Sequence, residues 1–141
     1  MKKAVILAGV AVIIYAGSRH GGITSQIPAA ITARPVAASA SGGNLSCSGL
    51  ESLWETEGGS VSAAYMAAEI AMAESSGQQN STDQNTNGTT DRGYWQINST
   101  WGPLSTYDPA ANARAAIQIS HNGTDWSPWV TYVTGAYAGQ C

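Results

Sequence analysis

The chain has only two cysteines, Cys47 and Cys141, and they stand just inside the two ends of residues 45–141. In an exported protein such a pair forms a disulfide that closes nearly the whole stretch into one loop. On the chain-entropy account a loop of about 100 residues contributes roughly 4–5 kcal/mol. A domain this small has a marginal core without such help. Two lone cysteines without clustered histidines make a poor metal site, and no metal or organic cofactor is implied.

Export is read from the other end of the chain. Met1-Lys2-Lys3 precedes an uncharged, mostly apolar run from Ala4 to Gly17, the pattern of a secretory signal. Ala16-Gly17-Ser18 supplies a small-x-small cleavage site. The run is short of the ~20 apolar residues that a spanning helix wants. Residues 1–18 are therefore expected to be a signal peptide or a short retained anchor, with a membrane tether through residues 4–17 in the second case. Either way the rest leaves the cytoplasm. Residues 19–44, rich in Gly, Ser, Ala and Thr and free of acids, read as a flexible tether. Residues 45–141 are left as the folded domain.

Charge narrows the partners. Lys2, Lys3, Arg19 and Arg34 all precede residue 45, so all nine acids fall in the domain against only Arg92 and Arg114. An acidic domain in a chain of net charge −3 is a poor match for nucleic acid. With 141 residues the chain is also too short for a barrel or a doubly wound enzyme.

Helices are marked by caps and apolar spacing. Ser48-Gly49-Leu50-Glu51 reads as a capping box for a helix whose apolar face is Leu50, Leu53 and Trp54, stopped by Gly58-Gly59. A second helix is predicted from Ser60 to Glu74, with Met66, Ile70 and Ala73 on one stripe and Ser75-Ser76-Gly77 after it. Asp108 and Pro109 open a third through Ala110–Ser120, closed by Asn122-Gly123. Ser127-Pro128 predicts the start of a short last helix carrying Trp129 and Tyr132. Gly77 to Thr90 is a polar stretch with the hairpin signal Asn87-Gly88 at its centre. Tyr94-Trp95-Gln96-Ile97 then reads as a strand or buried extended segment. A small β-hairpin subdomain beside a mostly helical one forms a cleft, where ligands bind. The expected class is α+β.

Two carboxylates stand out. Glu74 lies on the flank of the apolar stripe at a helix C-terminus, where the helix dipole and partial burial both disfavour a negative charge. That is the environment of a general acid. A surface glutamate at an ordinary helix end is the plainer reading, and Glu69 competes. Asp91 follows the polar hairpin in a hydroxyl-rich, wet setting that keeps a carboxylate charged, although a turn Asp satisfying backbone amides reads the same way. One carboxyl tuned toward its acid form and one left charged is the pairing used for glycosidic cleavage.

Glu74-Ser75-Ser76-Gly77, followed by Asn87-Gly88-Thr89-Thr90-Asp91-Arg92-Gly93-Tyr94-Trp95-Gln96-Ile97-Asn98, resembles the lysozyme superfamily. It is most similar to the bacterial and phage branch of soluble lytic transglycosylase-like domains, and the D-x-G-x-x-Q-I-N stretch resembles animal lysozymes. Ala136-Tyr137-Ala138-Gly139 resembles the terminal A-Y-N-A-G of the family without its Asn. The resemblance implies a lysozyme-like fold over residues 47–141 and a substrate of peptidoglycan glycan strands. It implies Glu74 as the acid acting between N-acetylmuramic acid and N-acetylglucosamine, and Asp91 as the second carboxylate of animal-type enzymes. It also implies Gln96 and Asn98 holding sugar or framing the cleft, and Tyr137 hydrogen-bonding near Glu74. Lytic transglycosylases do without a second carboxylate, so hydrolysis and anhydro-forming transfer both stay open. Trp101 and Trp95 are candidates to stack on sugar, with core packing the plainer role for Trp95; Trp54, Trp126 and Trp129 read as core. The rival readings are a peptidoglycan-binding module without turnover and a disulfide-stapled adhesion domain. Secretion, attachment to the envelope or carriage on a phage particle all fit the N-terminal segment.

Overall fold

Ser46, not Ser48, starts the first helix. Its side chain accepts a hydrogen bond from the Gly49 amide at 3.3 Å, and Ser48 lies inside the first turn with its hydroxyl 3.1 Å from that of Ser46. The predicted capping box is thus displaced by two residues, and α1 runs Cys47–Thr56. In this computed structural model, which describes residues 43–141, the elements that follow are α2 (Ala64–Ser75), β1 (Thr82–Gln84), β2 (Thr90–Arg92), β3 (Ile97–Asn98), α3 (Pro109–Ile119) and α4 (Val130–Val133). The helices and one antiparallel sheet in the order β1-β2-β3 make the α+β class expected. The predicted signal or anchor (1–18) and all but the last two residues of the predicted tether (19–44) lie outside the described residues. Among those described, no helix is long and apolar enough to cross a membrane.

The second helix also begins later than predicted. A 3-10 turn over Val61–Ala63 precedes it, and Ser60 makes no side-chain cap; its amide donates instead to the Asn122 side-chain oxygen at 2.8 Å. The face α2 buries includes Ala64, Ala67, Ala68, Ile70 and Ala71, with Met66 and Ala73 only half-buried. The observed face is therefore rotated from the predicted stripe of Met66, Ile70 and Ala73. In so alanine-rich a helix the sequence carries little polar contrast to mark a face. Left-handed Ser76 (φ 54) and Gly77 (φ 71) end the helix. A side chain at Gly77 would strike the Leu45 carbonyl, because the entering chain runs alongside: the Leu45 amide donates to the Gly77 carbonyl at 2.8 Å.

With no Phe in the chain, the core is built on indoles. Trp54 lies 6.2 Å from Trp95 and 5.5 Å from Trp126, centroid to centroid, and Trp126 lies 5.2 Å from Trp129. Buried indole nitrogens need acceptors, and backbone carbonyls provide them: Ser60 for Trp54 (3.0 Å), Ala67 for Trp95 (2.9 Å) and Trp95 for Trp129 (2.8 Å). Trp95 is fully buried, so the packing role holds for it and sugar stacking does not.

The segment predicted as a strand or extended run is buried but turned. Residues 93–96 form turns, and only Ile97–Asn98 joins the sheet. Asn112, buried inside α3, imposes that shape. Its side-chain oxygen accepts from the Trp95 amide (3.0 Å), and its side-chain nitrogen donates to the Arg92 and Thr106 carbonyls (both 3.0 Å). Gly93 (φ 80) lets the chain pass close, since a Cβ there would come within 2.5 Å of the Asn112 nitrogen. Asp108 caps α3 as expected, accepting from the Ala111 amide at 2.8 Å. The last helix starts at Val130 with Trp129 as its N-cap, three residues after the predicted Ser127-Pro128 start. Cys47 and Cys141 are joined by a disulfide.

Candidate active site

A cleft of about 470 Å³ opens between the helices and the sheet. The helical side contributes Glu74 from the last turn of α2, Ile119 from α3, and Trp129 and Val130 around the start of α4. The sheet side contributes Asn85, Asn87, Thr89 and Asp91, with Gln96 and Asn98 from the segment behind. The charged residues of this lining are both acids.

Glu74 is half-buried, and burial pushes its carboxyl above the ordinary glutamate range. The hydroxyl of Thr131 pulls the other way by donating to Oε1 at 2.6 Å. The negative charges of Asp91 and Asp83 add to the upward push. Glu69, the competing acid, is buried outside the cleft, where its carboxylate accepts the Gly139 amide at 2.9 Å.

Asp91 has the opposite surroundings. The hairpin that carries it closes through a three-residue loop: the Asn85 amide donates to Thr89 (2.9 Å), the Gly88 amide donates to Asn85 (3.0 Å), and Gly88 takes φ 84. The turn thus centres on Thr86-Asn87, one residue before the predicted Asn87-Gly88, with Gly88 as the left-handed residue that follows, and the Asn87 side chain accepts from the Thr89 amide and hydroxyl (3.0 and 2.7 Å). The loop brings the Asn85 side-chain nitrogen to 2.9 Å from Asp91 Oδ2, while that of Asn98 reaches Oδ1 at 2.6 Å. Both amides also donate to the Thr89 hydroxyl, at 3.1 and 2.9 Å. Strand alternation sends the next residue, Arg92, to the other face, where it bonds the Ser105 hydroxyl at 3.1 Å. No cation therefore pairs with Asp91 among the described residues.

The remaining candidates divide. Asn98 spends both side-chain N–H groups on Asp91 and Thr89, and its oxygen on the Thr100 amide (2.9 Å); it orients the carboxylate and has no donor left for sugar. Gln96 (φ 45) donates to the Ser81 and Gly93 carbonyls (3.0 and 2.7 Å) and frames the cleft. Trp101 lies on the cleft with 47% of its surface exposed, as a stacking residue requires. Tyr137 corrects the reading: it stacks on Tyr132 at 5.2 Å, does not line the cleft, and leaves the hydrogen bond on Glu74 to Thr131. Thr131 and Asn85, which hold the two carboxyls, belong to no sequence motif. Asn112 carries a signal, a polar residue on the buried face of an otherwise alanine-rich helix.

Fold and cleft together define a small α+β domain with two unlike carboxyls facing one groove. A family model described as a lysozyme-like domain matches residues 55–131, more than half the chain, and the chain belongs to that family. Membership points to peptidoglycan-related glycosidase or transglycosylase activity. A search of curated proteins finds no match.

Proposed function

We propose that residues 45–141 cleave peptidoglycan glycan strands at the β-1,4 bond between N-acetylmuramic acid and N-acetylglucosamine, with Glu74 as general acid. The observation behind this reading is the contrast between the two carboxyls on one cleft: burial favours the protonated form of Glu74, whereas Asp91 receives an amide N–H on each oxygen. Protonated Glu74 gives its proton to the glycosidic oxygen as the C1–O bond breaks. Positive charge then grows on the muramic ring, and the carboxylate of Asp91 stabilises it. Glu74, now ionised, takes a proton from the incoming nucleophile, which regenerates the acid. A fixed negative charge at Asp91 favours water as that nucleophile; the rival acceptor is the 6-hydroxyl of the same muramic residue, which closes an anhydro ring. Trp101 stacks on a sugar face. The disulfide fits a site of action outside the cytoplasm, to which residues 1–18 deliver the domain, with residues 19–44 as its tether.

Mass spectrometry of fragments released from purified peptidoglycan tests this reading. Reducing muramic ends from the wild type and none from Glu74→Gln are expected. Anhydro ends would keep the cleavage and replace water by the internal hydroxyl. Binding to peptidoglycan without released fragments would replace the enzyme by a binding module.

A further inference from the structure

We infer that Thr131 is a positioning residue that selects which oxygen of Glu74 carries the catalytic proton, an inference that rests on the glycosidase reading above. The 2.6 Å bond from the Thr131 hydroxyl occupies Oε1 as an acceptor. In a carboxylic acid so held, the proton resides on the other oxygen. Among the described residues no side chain bonds Oε2, which is not sealed in the interior; Glu74 lines the cleft, and the Thr131 backbone N–H adds a weaker pull toward ionisation. The acid proton is therefore directed at the substrate rather than lost in an internal bond.

Thr131 is the second residue of α4, so no helical carbonyl lies four residues before it. Ser52 and Ser75, farther along their helices, bond the carbonyl four residues back, at 2.8 and 2.9 Å. Thr131 bonds Glu74 across to α2 instead. Its place is set by its neighbours: Trp129, two residues earlier, is locked by its indole bond to the Trp95 carbonyl at 2.8 Å. The Thr131 carbonyl also accepts the Tyr137 amide at 3.3 Å. The charged groups that act on Glu74 from the facing strands are Asp91 on β2 and Asp83 on β1; both oppose its ionisation, and Thr131 is the group that favours it.

A merely structural tie between α2 and α4 and a positioning role differ in the pH profile. Thr131→Val keeps the shape and removes the donor, and Thr131→Ser restores it. With soluble uncross-linked peptidoglycan strands as substrate, Thr131→Val is expected to lower the plateau kcat about tenfold, the low end for a hydrogen bond to a charged group. KM should stay within about twofold. The alkaline limb of the profile should move to higher pH, because the hydroxyl that favours ionisation is gone while the weaker backbone N–H remains. Thr131→Ser should return both. A carboxyl-carbon NMR titration of Glu74 reads the same upward displacement without turnover, including in a variant of lowered stability. An unchanged limb and plateau in Thr131→Val would overturn this role alone. A wild type that releases no fragments would overturn the glycosidase reading and this role with it.

Discussion

On the helical side of the cleft Glu74 stands half-buried beside the indole core, with one hydroxyl on one oxygen. On the sheet side Asp91 has an amide on each oxygen and a threonine hydroxyl shared between those amides. The helical wall is made of apolar packing, so a carboxyl placed in it loses water and resists ionisation. The hairpin of the sheet wall has almost no apolar packing; β1 is exposed throughout and β2 half-buried, and its shape comes from Asn, Thr and Gly hydrogen bonds, while Ile97 of β3 joins the core. Chemical difference between two like groups is thus produced by the architecture on which each is mounted.

The largest expected effect separates the two walls by activity. Glu74→Gln should lower turnover by about 10²–10⁴-fold, the range for removing a general acid, measured as muropeptide release. Next, the Cys47→Ala, Cys141→Ala double variant should lose about 4 kcal/mol in urea unfolding, since the bridge spans a sequence separation of 94. Its cost falls on the helical wall, where the bridge ties α1 to the segment after α4. Asn112→Ala should cost about 3 kcal/mol, because it strips partners from three backbone groups beneath the sheet wall at once. Asn98→Ala should cost only about 1–2 kcal/mol in unfolding yet reduce turnover more than that loss explains, as Asp91 loses the donor on Oδ1. Equal losses of stability and turnover would erase the proposed division between the walls.

The smallest effect concerns pH. The folded-state pKa of Glu74 is raised above its unfolded value, so folding favours the protonated form and the ionised form opposes it. The opposition is absent below the unfolded pKa and grows as pH rises toward the folded one. Glu74→Gln should therefore raise Tm at neutral pH, and the gain should fade as the solution is acidified below the ordinary carboxyl range. A gain that persists in acid would assign it to packing rather than to charge.

Much of this was legible in residue order. Asp108-Pro109 marks its helix start because capping and a fixed proline φ are local effects. Asn87-Gly88 marks its hairpin because Gly88 must take a left-handed conformation. Glu74 and Asp91 were legible as a pair from helix-end and hairpin context together with the family motif. The buried face of α2 was not, since a helix of alanines shows no stripe until α1 packs against it. The turned course of 93–96 was hidden for a similar reason: a run of large side chains signals burial, whereas the turn depends on Asn112, from α3.

By itself the sequence determined the Asp108 cap of α3, the left-handed Gly88 of the hairpin, the cysteine pair and the acids available for chemistry, all consequences of residue identity and backbone preference. Only the tertiary structure decided which acid meets the cleft. It buried Glu69 against Gly139 and left Glu74 beside Thr131, put Tyr137 on Tyr132, and turned Asn98 from sugar toward Asp91. Each of these outcomes joins residues from separate elements. Such contacts arise where helix and strand ends converge, and no local pattern encodes that convergence.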